Sequence, residues 1–131
     1  MATEILINDG GAPARILPYT AVEAITAGNA CTIDVNGKVQ NANTGDAAGY
    51  DFAYAGIALT TVAAGEICSL ITGVGVVLNI NCADVVAGIA LMMGTTDGRL
   101  LAADNAAGSP KAQAVCLEDT SAAGLHKCQT L

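Results

Sequence analysis

The sequence predicts a mainly β fold, a small β-barrel or sandwich built from two similar units, with an extended N-terminal arm. Three observations favour it: short stretches in which apolar and polar residues alternate, closely spaced turn signals, and a pattern that recurs after about 60 residues. The chain of 131 residues is long enough for one domain of ordinary size, or for one domain that is a double repeat.

Residues 1–21 are predicted to form the arm. The stretch ATEILIN has a short strand pattern, the glycines that follow it bend freely, and Pro13 and Pro18 disfavour a helix. Such an arm often adds a strand to the edge of a neighbour's sheet. The alternative is an ordinary first strand of the same domain, and the sequence leaves both interpretations open. If the segment is an arm, deleting residues 2–19 should leave a folded core.

Residues 22–131 are predicted to form a single β domain. The dipeptides Asn36-Gly37 and Asp97-Gly98 suit two-residue hairpin turns, because glycine adopts positive φ without strain. Apolar and polar residues alternate before the first of these turns and again in the middle of the chain. The glycines that interrupt the second stretch indicate a turn, a bulge or a barrel corner.

An internal repeat divides this domain at about residues 22–82 and 83–131. Each unit contains an Ala-Gly turn, a strand, a tight turn followed by a basic residue, a second strand, a loop, a short apolar strand and an Ala-Ala-Gly turn. The alternative is chance similarity in a chain rich in Ala and Gly. The shared order of these features favours a true repeat, which would give two similar lobes or two halves of one barrel.

Small side chains dominate the composition. Hydrophobic residues make up 53% of the chain, but only 3% of residues are aromatic, and there are 26 Ala and 15 Gly. A core of small residues buries less apolar area per residue than an aromatic-rich core. We therefore expect a modest core that is stabilised by association with further copies of the chain or with a partner.

The charge composition argues against several partners. Five Lys and Arg residues stand against 12 Asp and Glu residues, which gives a net charge of −7, and no basic cluster is present. Nucleic acid and anionic membrane surfaces bind basic residues, so neither partner is expected. The longest apolar stretch, Val85–Met93, is too short to span a membrane, and the first residues do not resemble a secretory signal, so we expect assembly in the cytoplasm.

The cysteines are odd in number and include no Cys-x-x-Cys pair. In a reducing compartment they are predicted to be buried thiols that act as small hydrophobic residues. A disulfide pair is a second interpretation, and a zinc site is a third, although the spacing matches no zinc motif. The cysteines are Cys31, Cys68, Cys82, Cys116 and Cys128.

Catalytic motifs are lacking from the sequence. The single histidine, His126, could form a dyad with Cys128, but no orienting or oxyanion motif accompanies them, and an exposed histidine is the simpler interpretation. No serine lies in a Gly-x-Ser-x-Gly motif, and no phosphate- or dinucleotide-binding loop is present. The sequence therefore predicts a protein that is not an enzyme and has no catalytic residue, cofactor, metal site or small-molecule substrate.

Aromatic residues cluster in a predicted loop over residues 41–56. Tyr50, Phe52 and Tyr54 alternate there, so that they share one face if the segment is extended. They are predicted either to cap the core or to anchor a subunit interface, where aromatic residues often concentrate binding energy.

Four segments carry a family resemblance: ILPYTAVEAITAGNACTIDVNGKVQNA, YAGIALTTVAAGE, VVAGIALMMGTTDGRLLAA and AVCLEDTSAAG. Their turn and strand motifs resemble those of the small decoration proteins of tailed-bacteriophage capsids, also called cement or head-stabilising proteins. The resemblance extends over residues 16–131. Its motifs belong to turns and strands, not to catalytic sites.

The resemblance implies a β-rich structural virion protein on the outer surface of an icosahedral head, assembled in the host cytoplasm. Such proteins usually form trimers at three-fold or quasi-three-fold positions, where they bridge neighbouring subunits of the major capsid protein and resist the pressure of packaged DNA. Their N-terminal arms commonly contact the capsid, which corresponds here to about Thr3–Tyr19. The acidic composition suits an exterior position.

The residues expected at the capsid or subunit interface are the large apolar ones of the arm and of the aromatic loop. They are Ile5, Leu6, Ile7, Ile16, Leu17, Tyr19, Tyr50, Phe52 and Tyr54. The alternative function is a self-assembling tube, fibre or shell subunit that binds mainly copies of itself, since an arm and exposed sheet edges fit that role too. A bound metal or ligand at His126 would make an enzyme a candidate function again.

Overall fold

A computed structural model describes residues 5–7, 11–34, 36–43, 54–94, 97–102 and 112–131 of the chain, and these residues form β-strands and turns without an α-helix. The first group of strands is β1 (Arg15–Thr20), β2 (Ala30–Ile33), β3 (Val39–Asn41), β4 (Tyr54–Ala58) and β5 (Ile67–Thr72). The second group is β6 (Val77–Cys82), β7 (Ala90–Met93), β8 (Leu100–Ala102), β9 (Ala114–Cys116) and β10 (Gly124–Thr130). The mainly β fold of two similar units is confirmed. The described part of the chain holds no helix with the length and hydrophobicity that a membrane span needs.

The first group forms a five-stranded sheet in the order β1-β5-β4-β2-β3. Its strand pairs are antiparallel. The residue after β1 brings the two edges of the sheet together, because Ala21 bridges Val39 of β3 in parallel. The sheet therefore curls toward a barrel. The buried residues that fill its interior are Ala21, Ile25, Cys31, Val39, Ala58, Val62, Cys68 and Leu70.

The second group forms a closed barrel that repeats this topology. Taken from β6, its order is β6-β10-β9-β7-β8, which is the order of the first sheet when β6 is equated with β1. The barrel closes through a parallel pair between Cys82 of β6 and Leu100 of β8, as the first sheet does through Ala21 and Val39. The equivalence of strands places the division between the two units between β5 and β6, whereas the sequence pattern predicted it near residue 82.

The turn at Asn36-Gly37 joins β2 and β3, and Gly37 has a φ of 74°. The Asp34 N–H donates to the Lys38 carbonyl at 2.7 Å. The Asp34 carboxylate also accepts hydrogen bonds from the N–H groups of Asn36 and Lys38, at 2.8 and 2.9 Å. The loop is therefore longer than the two-residue turn that the dipeptide predicts, because the Asp34 side chain bridges it.

The turn at Asp97-Gly98 has a second role, since it lies against the first unit. Gly98 has a φ of 71°. Its N–H donates to the Ala42 carbonyl at 2.9 Å, and its own carbonyl accepts from the Ala30 N–H at 2.8 Å. A side chain at this position would overlap Asn29. Glycine is therefore required here both for its φ and for the close approach of the two units.

The C-terminal part of the predicted arm is a strand of the first unit. Residues 15–20 form β1, which pairs with β5 along its whole length, from Arg15 with Thr72 to Thr20 with Ile67. These residues take the role that the sequence left as the alternative, an ordinary first strand. Deleting residues 2–19 would remove this strand, so the deletion would not leave the complete core that was expected.

The N-terminal part of the arm lies on the second unit. Leu6 forms an antiparallel bridge with Leu78 of β6. The Asn79 N–H donates to the Ile5 carbonyl at 2.7 Å, and the Ile7 N–H donates to the Val77 carbonyl at 3.2 Å. The segment thus pairs with the part of β6 that β8 does not cover, and β6 belongs to the same chain.

A series of side-chain hydrogen bonds, called here the Asn29 network, crosses between the units. The Asn29 side chain donates to Asn41 at 2.9 Å and accepts from Asn81 of β6 at 3.0 Å. At one end Asn41 donates to Glu23 at 3.1 Å, and at the other end Arg99 donates to Asn81 at 3.4 Å. Partly buried amides that satisfy one another in this way favour one relative position of the two units.

Candidate functional site

The first three residues expected at an interface contact the chain's own second unit. The side chain of Ile5 is only 4% exposed and belongs to the larger core cluster. Leu6 packs against the same cluster, and Ile7 is half-buried. Since their backbone also pairs with β6, this segment is a structural element of its own chain.

Ile16, Leu17 and Tyr19 lie on β1, at the end of the first sheet, and neighbouring residues point to opposite faces. Tyr19 packs against the interior cluster of the first unit, and Leu17 pairs with the buried Leu70. Ile16 faces outward and is 45% exposed.

Ile16 is one of three exposed residues on the outer face of β1 and β5, where its own partner Ile71 is fully buried. Pro18 follows on the same face of β1 and is exposed. Ile67 lies on that face of β5, opposite Thr20, and is 58% exposed. We call Ile16, Pro18 and Ile67 the outer strip. Ile67 was not among the residues expected from the sequence, because its exposure depends on the pairing of β5 with β1.

The aromatic loop is described only in part. Tyr50 and Phe52 lie outside the described residues. Tyr54 begins β4, opposite Thr32 of β2, and packs against the core. Its hydroxyl is buried without a hydrogen-bond partner in the described residues, and burial raises the pKa of Tyr54. Tyr54 therefore contributes to the core of its own chain here.

His126 lies on β10 and is partly buried, with 20% of its side chain exposed. Its Nδ1 atom lies 3.3 Å from a carboxylate oxygen of Glu118, and its Nε2 atom lies 2.7 Å from the Ala122 carbonyl. His126 and Cys128 are on the same face of the strand, as the sequence spacing indicates. The sulfur of Cys128, however, donates to the His126 backbone carbonyl at 3.3 Å.

Three cysteines lie close together in the interior of the closed barrel of the second unit. The Sγ atoms of Cys82, Cys116 and Cys128 all lie within 4.8 Å of one another, and all three residues are fully buried. Cys116 of β9 is paired directly with Cys128 of β10. Cys82 extends from β6, which flanks β10 on its other side. We call these three residues the thiol cluster.

The three thiols differ in their tendency to ionise. The neighbouring Cys128 side chain lowers the pKa of Cys82 from 9.0 to about 7, against the effect of burial. The proximity of Cys82, together with burial, raises the pKa of Cys128. Burial also raises the pKa of Cys116, whose sulfur donates to the Glu118 carbonyl at 3.0 Å. Cys82 is therefore the first of the three to form a thiolate.

The first unit provides an internal comparison for the thiol cluster. Ala58 pairs with Leu70 as Cys116 pairs with Cys128. Matching hydrogen bonds of 2.9 Å, from Leu59 to Ser69 and from Leu117 to Lys127, fix this correspondence. Ala21 corresponds in turn to Cys82, since both form the parallel contact that brings the sheet edges together.

In the sequence, Cys68 follows the first Ala-Ala-Gly turn as Cys128 follows the second, which aligns these two cysteines, but the strand pairing aligns Leu70 with Cys128. The remaining two cysteines, Cys31 and Cys68, are buried in the first unit. The sequence therefore predicted buried thiols correctly, since all five cysteines are buried and free. It missed their clustering.

Comparisons with models of known protein families and with curated protein sequences found no match to this chain.

Proposed function

We propose that this chain is a decoration protein of a bacteriophage capsid, which binds the outer surface of the head and bridges subunits of the major capsid protein. Two lines support the proposal: the resemblance of the strand and turn motifs, and the outer strip at the end of the first sheet. The outer strip is the observation that carries it. The net charge of −7 agrees with a position outside the packaged DNA.

The outer strip has the properties of a docking surface. β1 is at the end of the first sheet and pairs with β5 alone among the described strands. Two large aliphatic side chains, Ile16 and Ile67, are exposed beside that edge. Pro18 removes one backbone donor from β1, which disfavours uncontrolled pairing of this edge with other strands. Burial of each aliphatic side chain against a partner would contribute about 1–2 kcal/mol.

Bridging follows from multivalency. A trimer would present three outer strips, so that each assembly could contact more than one capsid subunit. Modest individual contacts would then act together, because each further contact is formed at high effective concentration. The trimer and the major capsid protein as partner are parts of the proposal.

A pair of matched substitutions tests the outer strip. Ile67 and Val86 are both 58% exposed, but Val86 lies in the second unit, between β6 and β7. Purified full-length wild type, Ile67→Asp and Val86→Asp would each be mixed with undecorated capsids and sedimented. We expect Ile67→Asp, and more strongly the Ile16→Asp/Ile67→Asp variant, to bind at least about tenfold more weakly than wild type. Val86→Asp should bind as wild type does.

Equal binding by all of these variants would refute the outer strip as the capsid surface. Sedimentation of the wild type alone would measure its oligomeric state in the same experiment. Soluble trimers that coat capsids support the proposal. Long polymers of the purified chain, with no binding to capsids, would favour the self-assembling tube, fibre or shell instead.

A further inference from the structure

We propose that the thiol cluster of Cys82, Cys116 and Cys128 is a three-sulfur binding site for a soft metal ion, with Zn²⁺ and Cu⁺ as the candidate ions. Both ions prefer thiolate ligands over oxygen ligands. The site is independent of the outer strip, and the proposal does not depend on the capsid function.

The spacing of the sulfurs fits such an ion. A metal about 2.3 Å from each of three sulfurs holds them about 3.8–4.0 Å apart. The three Sγ atoms already lie within 4.8 Å of one another. Small rotations of the side chains are therefore enough to bring all three sulfurs onto one ion.

The barrel holds the ligands in place. Cys82, Cys116 and Cys128 come from β6, β9 and β10, which are consecutive in the closed barrel. Each strand is fixed by hydrogen bonds to its neighbours, so the three Cα atoms are positioned by the fold. Ligands on strands of a rigid scaffold are placed more accurately than ligands on loops.

The fold itself does not require thiols at these positions. The first unit has the same strand order, and it fills the equivalent interior positions with Ala21, Ala58 and Leu70. Two alanines and a leucine therefore fill these three positions without sulfur, while Cys31 and Cys68 lie elsewhere in the same interior. In the second unit, by contrast, the cysteines occupy three positions that contact one another, which is the arrangement that a metal site needs.

Proton release accompanies binding. As each sulfur–metal bond forms, the thiol releases its proton to solvent, and no electron is transferred. Binding should weaken as the pH falls, since protons compete with the metal for the sulfurs.

His126 distinguishes the two ions. Zn²⁺ is usually bound by four ligands in a tetrahedron. His126 is a nitrogen donor on the same face of β10 as Cys128, but it lies outside the group of three close sulfurs. To serve as the fourth ligand, its ring must give up the contact with either Glu118 or the Ala122 carbonyl. Three thiolates complete the coordination of Cu⁺, so Cu⁺ binding does not require His126.

The ion would reach the buried site through local opening of the barrel. The contact between β6 and β8 consists of one register pair, Cys82 with Leu100, and one further hydrogen bond from Ala83 to Leu100 at 2.9 Å. This seam is much shorter than the contact between β6 and β10. Local opening at the seam would expose Cys82, and refolding would expose all three sulfurs.

The experiment uses the full chain, reduced with a phosphine and unfolded in urea with a chelator. The chain would be refolded with Zn²⁺ or with Cu⁺, freed of excess ion by gel filtration, and analysed for metal by mass spectrometry. We expect about one retained ion per chain in at least one of the two samples, Zn²⁺ or Cu⁺. A third sample is refolded with Co²⁺, and its absorption spectrum is recorded. A sulfur-to-metal charge-transfer band would be a direct sign of thiolate ligation.

Two matched variants decide the result. The first variant carries at the three cluster positions the residue types that the first unit has there, and it should retain no ion. It is Cys82→Ala/Cys116→Ala/Cys128→Leu. Cys31→Ala/Cys68→Ala removes the other two buried thiols and should bind as wild type does. Circular dichroism would check folding. If the triple variant does not fold, Cys116→Ala alone should weaken binding at least about tenfold.

Retention of Zn²⁺ or Cu⁺ by the wild type, with loss in the cluster variants, supports the site. His126→Gln identifies the ion, since it should weaken Zn²⁺ binding about 10- to 100-fold and leave Cu⁺ binding unchanged. The proposal is overturned if the wild type retains neither ion, or if a folded variant that lacks the cluster cysteines binds as tightly as wild type.

Discussion

Gly28 and Gly88 occupy equivalent positions in the two units, but only Gly28 lies against a side chain of the other unit. Gly28 donates its N–H to Ala58 at 2.8 Å, as Gly88 does to Cys116 at 2.7 Å. Their φ angles are 91° and 86°. A Cβ atom at Gly28 would overlap Leu125 of β10, whereas a Cβ at Gly88 would meet nothing within 4 Å.

This difference separates backbone strain from crowding. We expect Gly88→Ala to lower the free energy of unfolding by about 1–2 kcal/mol, the cost of positive φ for a residue with a side chain. Gly28→Ala should cost a further 1–3 kcal/mol or so, because the new methyl group crowds Leu125. Urea unfolding monitored by circular dichroism would measure both.

A double-mutant cycle provides the control for Gly28. In a Leu125→Ala background, Gly28→Ala should cost about as much as Gly88→Ala, because the overlapping side chain is gone. If the cost of Gly28→Ala is the same in both backgrounds, Leu125 is not the source of the additional strain.

The Asn29 network should contribute to stability mainly through its buried member. Asn41 is 6% exposed, and its amide contacts Asn29, Glu23 and the Ala24 carbonyl. Asn41→Ala leaves these groups without their partner and should lower the free energy of unfolding by about 1–3 kcal/mol. Lys38→Ala, which truncates an exposed side chain in the β2–β3 turn, should cost less than about 0.5 kcal/mol. Similar costs for the two variants would contradict this role.

Residues 5–7, which pair with β6, should stabilise the second unit. Ile5 is 4% exposed, and Ile5→Ala should lower the free energy of unfolding by about 2–4 kcal/mol, as for other buried aliphatic residues. Val74 is 74% exposed, so Val74→Ala should change the free energy of unfolding by less than about 0.5 kcal/mol. Thermal unfolding of both variants checks this. A wild-type midpoint for Ile5→Ala would show that the segment leaves β6 in solution.

Alkaline pH should destabilise the metal-free protein. Burial raises the pKa of Cys31, Cys68 and Cys116, and burial with a hydrogen bond raises that of Cys128. Above the ordinary value of 9.0 the native state holds more protons than the unfolded chain, so the free energy of unfolding falls as the pH rises. Cys82 acts in the opposite direction between about pH 7 and 9.0.

Urea unfolding between about pH 7 and pH 10, with a phosphine and a chelator, measures this profile. Each thiol that stays protonated contributes a slope of up to about 1.4 kcal/mol per pH unit. Cys31→Ala should reduce the slope above pH 9.0, because Cys31 is one of the thiols with a raised pKa. A flat profile in the wild type would mean that the thiols ionise equally in both states.

Local patterns explain why the strands were predicted well from the sequence. The alternation around Cys31 and Ile33 and the Asn36-Gly37 turn depend on neighbours in the chain, and both appear as the β2–β3 hairpin. Pro18 disfavours a helix, but it is compatible with a strand at a sheet edge, so residues 15–20 could be interpreted in two ways. Only the pairing with β5 decides between them.

The thiol cluster could not be predicted in the same way. Its three cysteines are distant in sequence, and the order of strands in the barrel brings them together. The repeat held a partial signal: Cys116 follows Ala114-Val115 where Ala58 follows Gly56-Ile57. The exposure of Ile67 likewise depends on which strand covers which face, and alternation alone does not determine this.

The position of Leu78 on β6 has a consequence for the order of folding in time. Leu78 is bridged by Leu6 on one side and paired with Cys128 on the other, so its neighbours come from opposite ends of the described chain. During synthesis, β6 leaves the ribosome long before β10 does. The earlier segment has no complete barrel to join until β10 is made, and such long-range closure is slow. The second unit should therefore acquire its final structure only after translation of β10, whereas the first unit can form while synthesis continues.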